Sequence, residues 1–133
     1  MASSAIQPGV LVALQELEPS SPFFKEGQSV RVTGRLQSYS AETAIAVIVD
    51  GGANLSIDTK HLRDISFRTD SIYQFIGELI IQHENHVVVE ARVGRNVDGM
   101  DLNLYHQSIQ LRRKFESDLL KSKVTDLPPN PTF

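Results

Sequence analysis

The chain has 133 residues, 41% of them apolar, no cysteine and a net charge of −3. That length supports a single core without staples, and the missing cysteines exclude both a disulfide framework and a thiolate metal site. No run approaches the roughly 20 apolar residues of a membrane span, and the first residues, MASSAIQPGV, lack a basic and apolar leader, so a soluble, intracellular protein is expected, with no membrane partner.

Residues 1–27 mix an apolar stretch, Val10 to Leu17, with a Pro/Ser segment and the turn Lys25-Glu26-Gly27, and read as an N-terminal extension packed on the domain. From Ser29 the pattern has a period of two: Val30, Val32, Gly34 and Leu36 point one way, Arg31, Thr33, Arg35 and Gln37 the other. A second strand is expected over Thr43–Val49, apolar enough to be buried on both faces, and Asp50-Gly51-Gly52 signals a tight hairpin into a third strand holding Leu55 and Ile57. Thr59 is then placed to cap a short helical segment in which Leu62 and Ile65 share a face. A long fourth strand, Ile72 to Ile81, is interrupted by Gly77. A hairpin at His83–His86 leads to a fifth, with Val87, Val89, Ala91 and Val93 on one face.

Three strands, a short helix, two more strands and a final helix is the layout of an OB barrel spanning residues 28–100, an all-β fold with a C-terminal α-helix. An SH3-like barrel competes, but it does not usually carry a helix at that point. Gly77 shares a face with Tyr73, Phe75, Leu79 and Ile81, so it is expected inside the barrel, where a neighbouring side chain fills the space of a Cβ. On that reading Gly77→Glu is disruptive and Gly77→Ala much milder.

The final helix is expected over residues 101–123 with Asp101 as N-cap, followed by a flexible Pro-rich tail over 124–133. At 100° per residue, Leu104, Leu111, Phe115 and Leu119 form one stripe, and Leu102, Tyr105, Ile109 and Leu120 a second, with Arg112 and Glu116 between them. Together they span roughly 180°, wider than one docking surface needs, so one stripe should serve a partner.

Charge divides along the chain: residues 1–101 carry a balance of −5 and residues 102–123 one of +3. An acidic barrel is a poor stand-alone phosphate binder. Tyr39, Arg63, Arg68 and Arg95 are the candidate nucleic-acid contacts, but the second and third strands offer no aromatic or basic residue. No catalytic constellation emerges. His83, Glu84 and His86 crowd a hairpin tip without metal-ligand spacing, no serine sits in a nucleophile elbow, and Gly94-Arg-Asn-Val-Asp-Gly99 lacks the spacing of a phosphate loop. Neither an enzyme nor a cofactor or metal is expected.

Ser29-Val-Arg-Val-Thr-Gly-Arg-Leu36, Ser71-Ile-Tyr-Gln-Phe-Ile-Gly-Glu-Leu79 and Ala91-Arg-Val-Gly-Arg-Asn-Val-Asp-Gly-Met-Asp-Leu-Asn-Leu104 resemble the smallest (Ten) subunit of the CST telomere-capping complex, in its plant form. Val97–Leu102 is the most specific piece. The resemblance implies an OB subunit similar to the smallest subunit of replication protein A. Such a subunit pairs with the Stn subunit and, through it, with the large subunit of CST. It implies single-stranded G-rich telomeric DNA as the assembly's ligand, chromosome-end protection and lagging-strand fill-in by DNA polymerase alpha–primase, in the nucleus at telomeres. By position, Arg31 and Phe115 match family interface positions, and Leu104, Leu111, Arg112 and Leu119 accompany them on the helix. At Leu119 some family members carry a basic residue. Two alternatives stay open: a stand-alone single-stranded nucleic-acid-binding OB protein, and a chaperone-like scaffold.

Overall fold

The computed structural model describes residues 9–126, and the side chains of residues 9–121. Two units divide at Met100/Asp101. The first is a sheet of β1 (Val10–Leu11), β2 (Ser29–Ser40), β3 (Ile45–Asp50), β4 (Ala53–Asp58), β5 (Ile72–Ile81) and β6 (Val87–Asn96). The second contains one helix, α1 (Leu102–Asp126).

In the sheet β2 pairs with β3, β3 with β4, β4 with β6 and β6 with β5, and β5 returns to β2. The five long strands thus close on themselves in the order of an OB barrel. The twelve-residue β2 makes closure possible by serving two neighbours. Its first half, Ser29–Arg35, pairs with β5, and Arg35–Ser40 pairs with β3 with a register shift between Leu36 and Ser38. Closure on the far side is narrow: β4 and β6 meet in parallel over Ser56–Asp58 and Val88–Glu90. There Asp58 stands opposite Glu90, and Lys60 Nζ lies 2.9 Å from Glu90 and 3.7 Å from Asp58, so one lysine offsets two neighbouring acids. The Lys60 hydrogen bond holds the Glu90 carboxyl below its ordinary pKa and raises that of Lys60.

Alternation sets the core. Val30, Val32, Leu36, Ala46, Ile48, Leu55, Ile57, Tyr73, Phe75, Leu79, Val89 and Ala91 fill the barrel. The N-terminal extension adds β1, a two-residue parallel edge on β2, and then Val12 and Leu14 as core residues.

Four local expectations change. β3 buries Ala46 and Ile48 but leaves Ile45, Val47 and Val49 half-exposed, so one face is core, not two. Residues 59–70 form successive turns, not a helix. Thr59 donates its hydroxyl to the Ala44 carbonyl (2.7 Å) instead of capping, while Leu62 plugs the barrel from a turn. Val93 leaves the inward set: the register slips from Ile76–Val93 to Gly77–Ala91, so Arg92 is bulged out and Val93 falls opposite outward-facing Ile76. Finally, backbone rather than a side chain occupies the space beside Gly77. A Cβ there would lie 2.7 Å from Ala91 Cα and 2.8 Å from the Glu90 carbonyl carbon, and closer still to its oxygen. Gly77 is therefore buried and beside a bulge at once.

The junction after β6 ties down the start of β5. Val97 donates its N–H to the Ile72 carbonyl (2.7 Å), and Asp98 Oδ1 accepts the Ile72 N–H (2.7 Å). That backbone bond, aided by Ser71, lowers the Asp98 pKa. A depressed native pKa gives stability that is present above the unfolded value and lost as pH falls through the native one. Urea melts of the wild type should therefore show falling stability as pH drops from about 5 toward 2. Asp98→Asn keeps an acceptor but cannot titrate, and should flatten that slope; an unchanged slope would place the titration elsewhere.

Candidate partner-binding surface

In the helical unit, Asp101 caps α1 as its sequence position suggests: Oδ1 accepts the N–H of Asn103 (3.0 Å) and of Leu104 (3.2 Å). The helix runs to Asp126, three residues past its expected end. The rest of the expected tail lies outside the described residues.

The two stripes part in exposure. Ile109 is 4% exposed and Leu102 and Tyr105 are half-buried, whereas Leu104, Leu111, Phe115 and Leu119 are 61%, 67%, 65% and 53% exposed. Leu120, grouped by angle with the covered stripe, is 65% exposed, because every residue from Lys114 to Lys121 faces solvent. The four exposed anchors lie within an arc of about 80°. Arg112, also exposed, borders them. An apolar row of this kind on a surface element makes it a candidate interaction surface.

On the barrel, Arg31 points outward from β2, between Leu11 on β1 and Ile76 on β5. Its Nε is buried and has no hydrogen-bond partner among the described residues. Two residues along the same face, Thr33 and Gln74 are buried. Gln74 donates to Thr33 Oγ1 (3.1 Å) and accepts from Arg95 (3.0 Å), a relay across β2, β5 and β6 that engages the Arg95 guanidinium.

The other nucleic-acid candidates do not form one platform. Tyr39 is half-buried, its ring 4.9 Å from Phe67, which packs in turn on Tyr73 and Phe75. Arg68 is exposed and its backbone N–H is donated to the Tyr73 hydroxyl (2.8 Å); Arg63 is exposed on the turns after β4. The outward residues of β3 and β4 are Ile45, Val47, Val49, Asn54, Ser56 and Asp58, with no ring to stack and no base.

A cleft of about 170 Å³ between β4 and the β5–β6 hairpin is lined by Leu17, Asn54, Leu55, Ser56, Asn85, His86 and Val87. It is smaller than a usual ligand pocket and brings no carboxylate to His86. The hairpin itself is solvated, with His83 and Glu84 3.9 Å apart and both exposed. Among the described residues no group of three potential ligands could hold a metal, and no helix is long and apolar enough to cross a membrane.

The sequence profile of a family described as a telomere-capping CST complex subunit matches residues 5–119. The chain is 60% identical to the CST complex subunit TEN1 of Arabidopsis thaliana over 116 residues, 86% of this chain and 91% of that one. It is 29% identical to the human CST complex subunit TEN1 over 105 residues, 76% of this chain and 85% of that one. Among solved structures, a chain of the S. pombe Stn1–Ten1 complex superposes with a TM-score of 0.66 at 22% identity, covering 83% of this chain and 96% of its own.

Proposed function

The chain belongs to the Ten1 family of telomere-capping CST complex subunits, and from that premise we propose that it is the small OB subunit that pairs with the Stn subunit through α1 and the outer face of β2. The observation that carries the proposal is the row Leu104, Leu111, Phe115 and Leu119, large apolar side chains held in solvent on a capped helix. Arg31 adds a directional contact: a half-buried guanidinium on the outer face of β2 suits a carboxylate of the Stn subunit. Arg31→Glu should weaken pairing by about 2–5 kcal/mol if that pair is desolvated. Pairing as tight as wild type in a titration would make Arg31 a surface charge only.

Through the Stn subunit the chain joins the large subunit of CST at nuclear telomeres. There the assembly holds single-stranded G-rich DNA, protects the chromosome end and supports fill-in by DNA polymerase alpha–primase. The chain's own part is assembly, not strand capture. Its barrel region is acidic, Arg95 is engaged by Gln74, Tyr39 packs on Phe67, and β3 and β4 present no stacking row. Fluorescence anisotropy with a G-rich telomeric oligonucleotide at physiological salt should accordingly show weak binding or none by the isolated chain, and tight binding by the reconstituted complex. Nanomolar affinity of the isolated chain would favour a stand-alone single-strand binder instead.

A further inference from the structure

The charges beside the exposed stripe of α1 are arranged symmetrically along the helix. On one flank Lys114 precedes Asp118 by one turn, and on the other Arg112 precedes Glu116 by one turn. All four are exposed. Lys114 and Asp118 pair within the helix at 3.3 Å, and Glu116 lies 3.4 Å from Arg113. Such solvated i,i+3 and i,i+4 pairs hold their partners weakly and can exchange them. The midpoints of the two flanking pairs are positions 116 and 114, so the whole pattern is centred on Phe115, the middle anchor of the stripe.

We propose that, when its Stn partner is absent, the chain pairs with a second copy of itself, the two α1 helices lying antiparallel about a two-fold axis at Phe115. In an antiparallel pair of identical helices each flank meets its own counterpart. Lys114 then falls beside Asp118 of the second copy, Arg112 beside Glu116, and both contacts repeat by symmetry. Leu111 lies opposite Leu119, and the two Phe115 rings meet at the axis. A parallel pair would instead bring bases level with bases and acids level with acids. The apolar contact is three layers deep, short for a permanent dimer, so the association is reversible and concentration-dependent. It occupies the surface assigned to the Stn subunit, so homomeric and heteromeric pairing exclude one another.

Sedimentation velocity on the full chain tests this. The weight-average coefficient should rise from monomer toward dimer as concentration increases to the millimolar range. Arg112→Glu with Lys114→Glu makes both flanks acidic, and Glu116→Lys with Asp118→Lys makes both basic. Each double variant alone should lose self-association by at least about tenfold, through like-charge contact, and an equimolar mixture should dimerise again. Recovery on mixing separates contact between copies from any change in helix stability. Phe115→Ala, which leaves all the charges in place, should also abolish the dimer. A monomer at every wild-type concentration, dimers that persist in both double variants, no recovery on mixing, or an unaffected Phe115→Ala dimer would each overturn the proposal.

Discussion

Gly77→Ala should destabilise the barrel by about 3 kcal/mol, and Gly77→Glu should leave it largely unfolded at physiological temperature. The cause is the close approach of β6. A Cβ at position 77 would meet the Glu90 peptide and Ala91 Cα, which are backbone atoms held in the β5–β6 ladder and unable to rotate aside as a side chain can. One methyl group must therefore push two strands apart at the bulge where their register changes. Glutamate adds to this the burial of a charge with no partner in reach, a penalty that can exhaust a typical stability of about 5–15 kcal/mol. Strand alternation alone places a side chain in that space and predicts a mild alanine effect; backbone atoms there make it severe. Thermal melts separate the two: an alanine variant that melts within a few degrees of wild type would mean that β6 moves aside at little cost.

Replacing Phe115 and Leu111 together by alanine should weaken pairing with the Stn subunit by about 4 kcal/mol or more while leaving the barrel's melting temperature unchanged. Both side chains are about two-thirds exposed, so truncation removes no core packing, and alanine is favourable to the helix. The free chain therefore loses little, and the whole effect should fall on the complex. Large apolar anchors at the centre of an interface typically cost about 2 kcal/mol each on truncation. Leu120→Ala makes an internal control. It is as exposed as Phe115 but lies on the opposite side of the helix, and should change pairing little.

Much of this was legible in the sequence because both decisive signals are periodic. The two-residue alternation in β2 and β5 named the inward residues, and the 3.6-residue spacing in α1 separated the exposed row from Ile109. The departures arise where one residue changes the count or a tertiary bond overrides a local preference. Arg92 bulges and moves Val93 off the core face. Thr59 bonds the Ala44 carbonyl at the end of the β3–β4 ladder instead of capping a helix. The most family-specific stretch, Val97–Leu102, acquires a physical reason: Val97 and Asp98 secure the start of β5, and Asp101 caps α1. The part played by Asp98 could not be foreseen, because its partner, Ile72, lies 26 residues earlier in the chain.

Titration calorimetry of the purified Stn subunit into the chain tests the central claim most directly, that this is a pairing subunit whose exposed helix row does the pairing. The account predicts a 1:1 complex with wild type, a fall in affinity of about 1,000-fold for the Phe115→Ala, Leu111→Ala double variant, and near-normal affinity for Leu120→Ala. No heat of binding with wild type, or a double variant that binds as tightly as wild type, would contradict it.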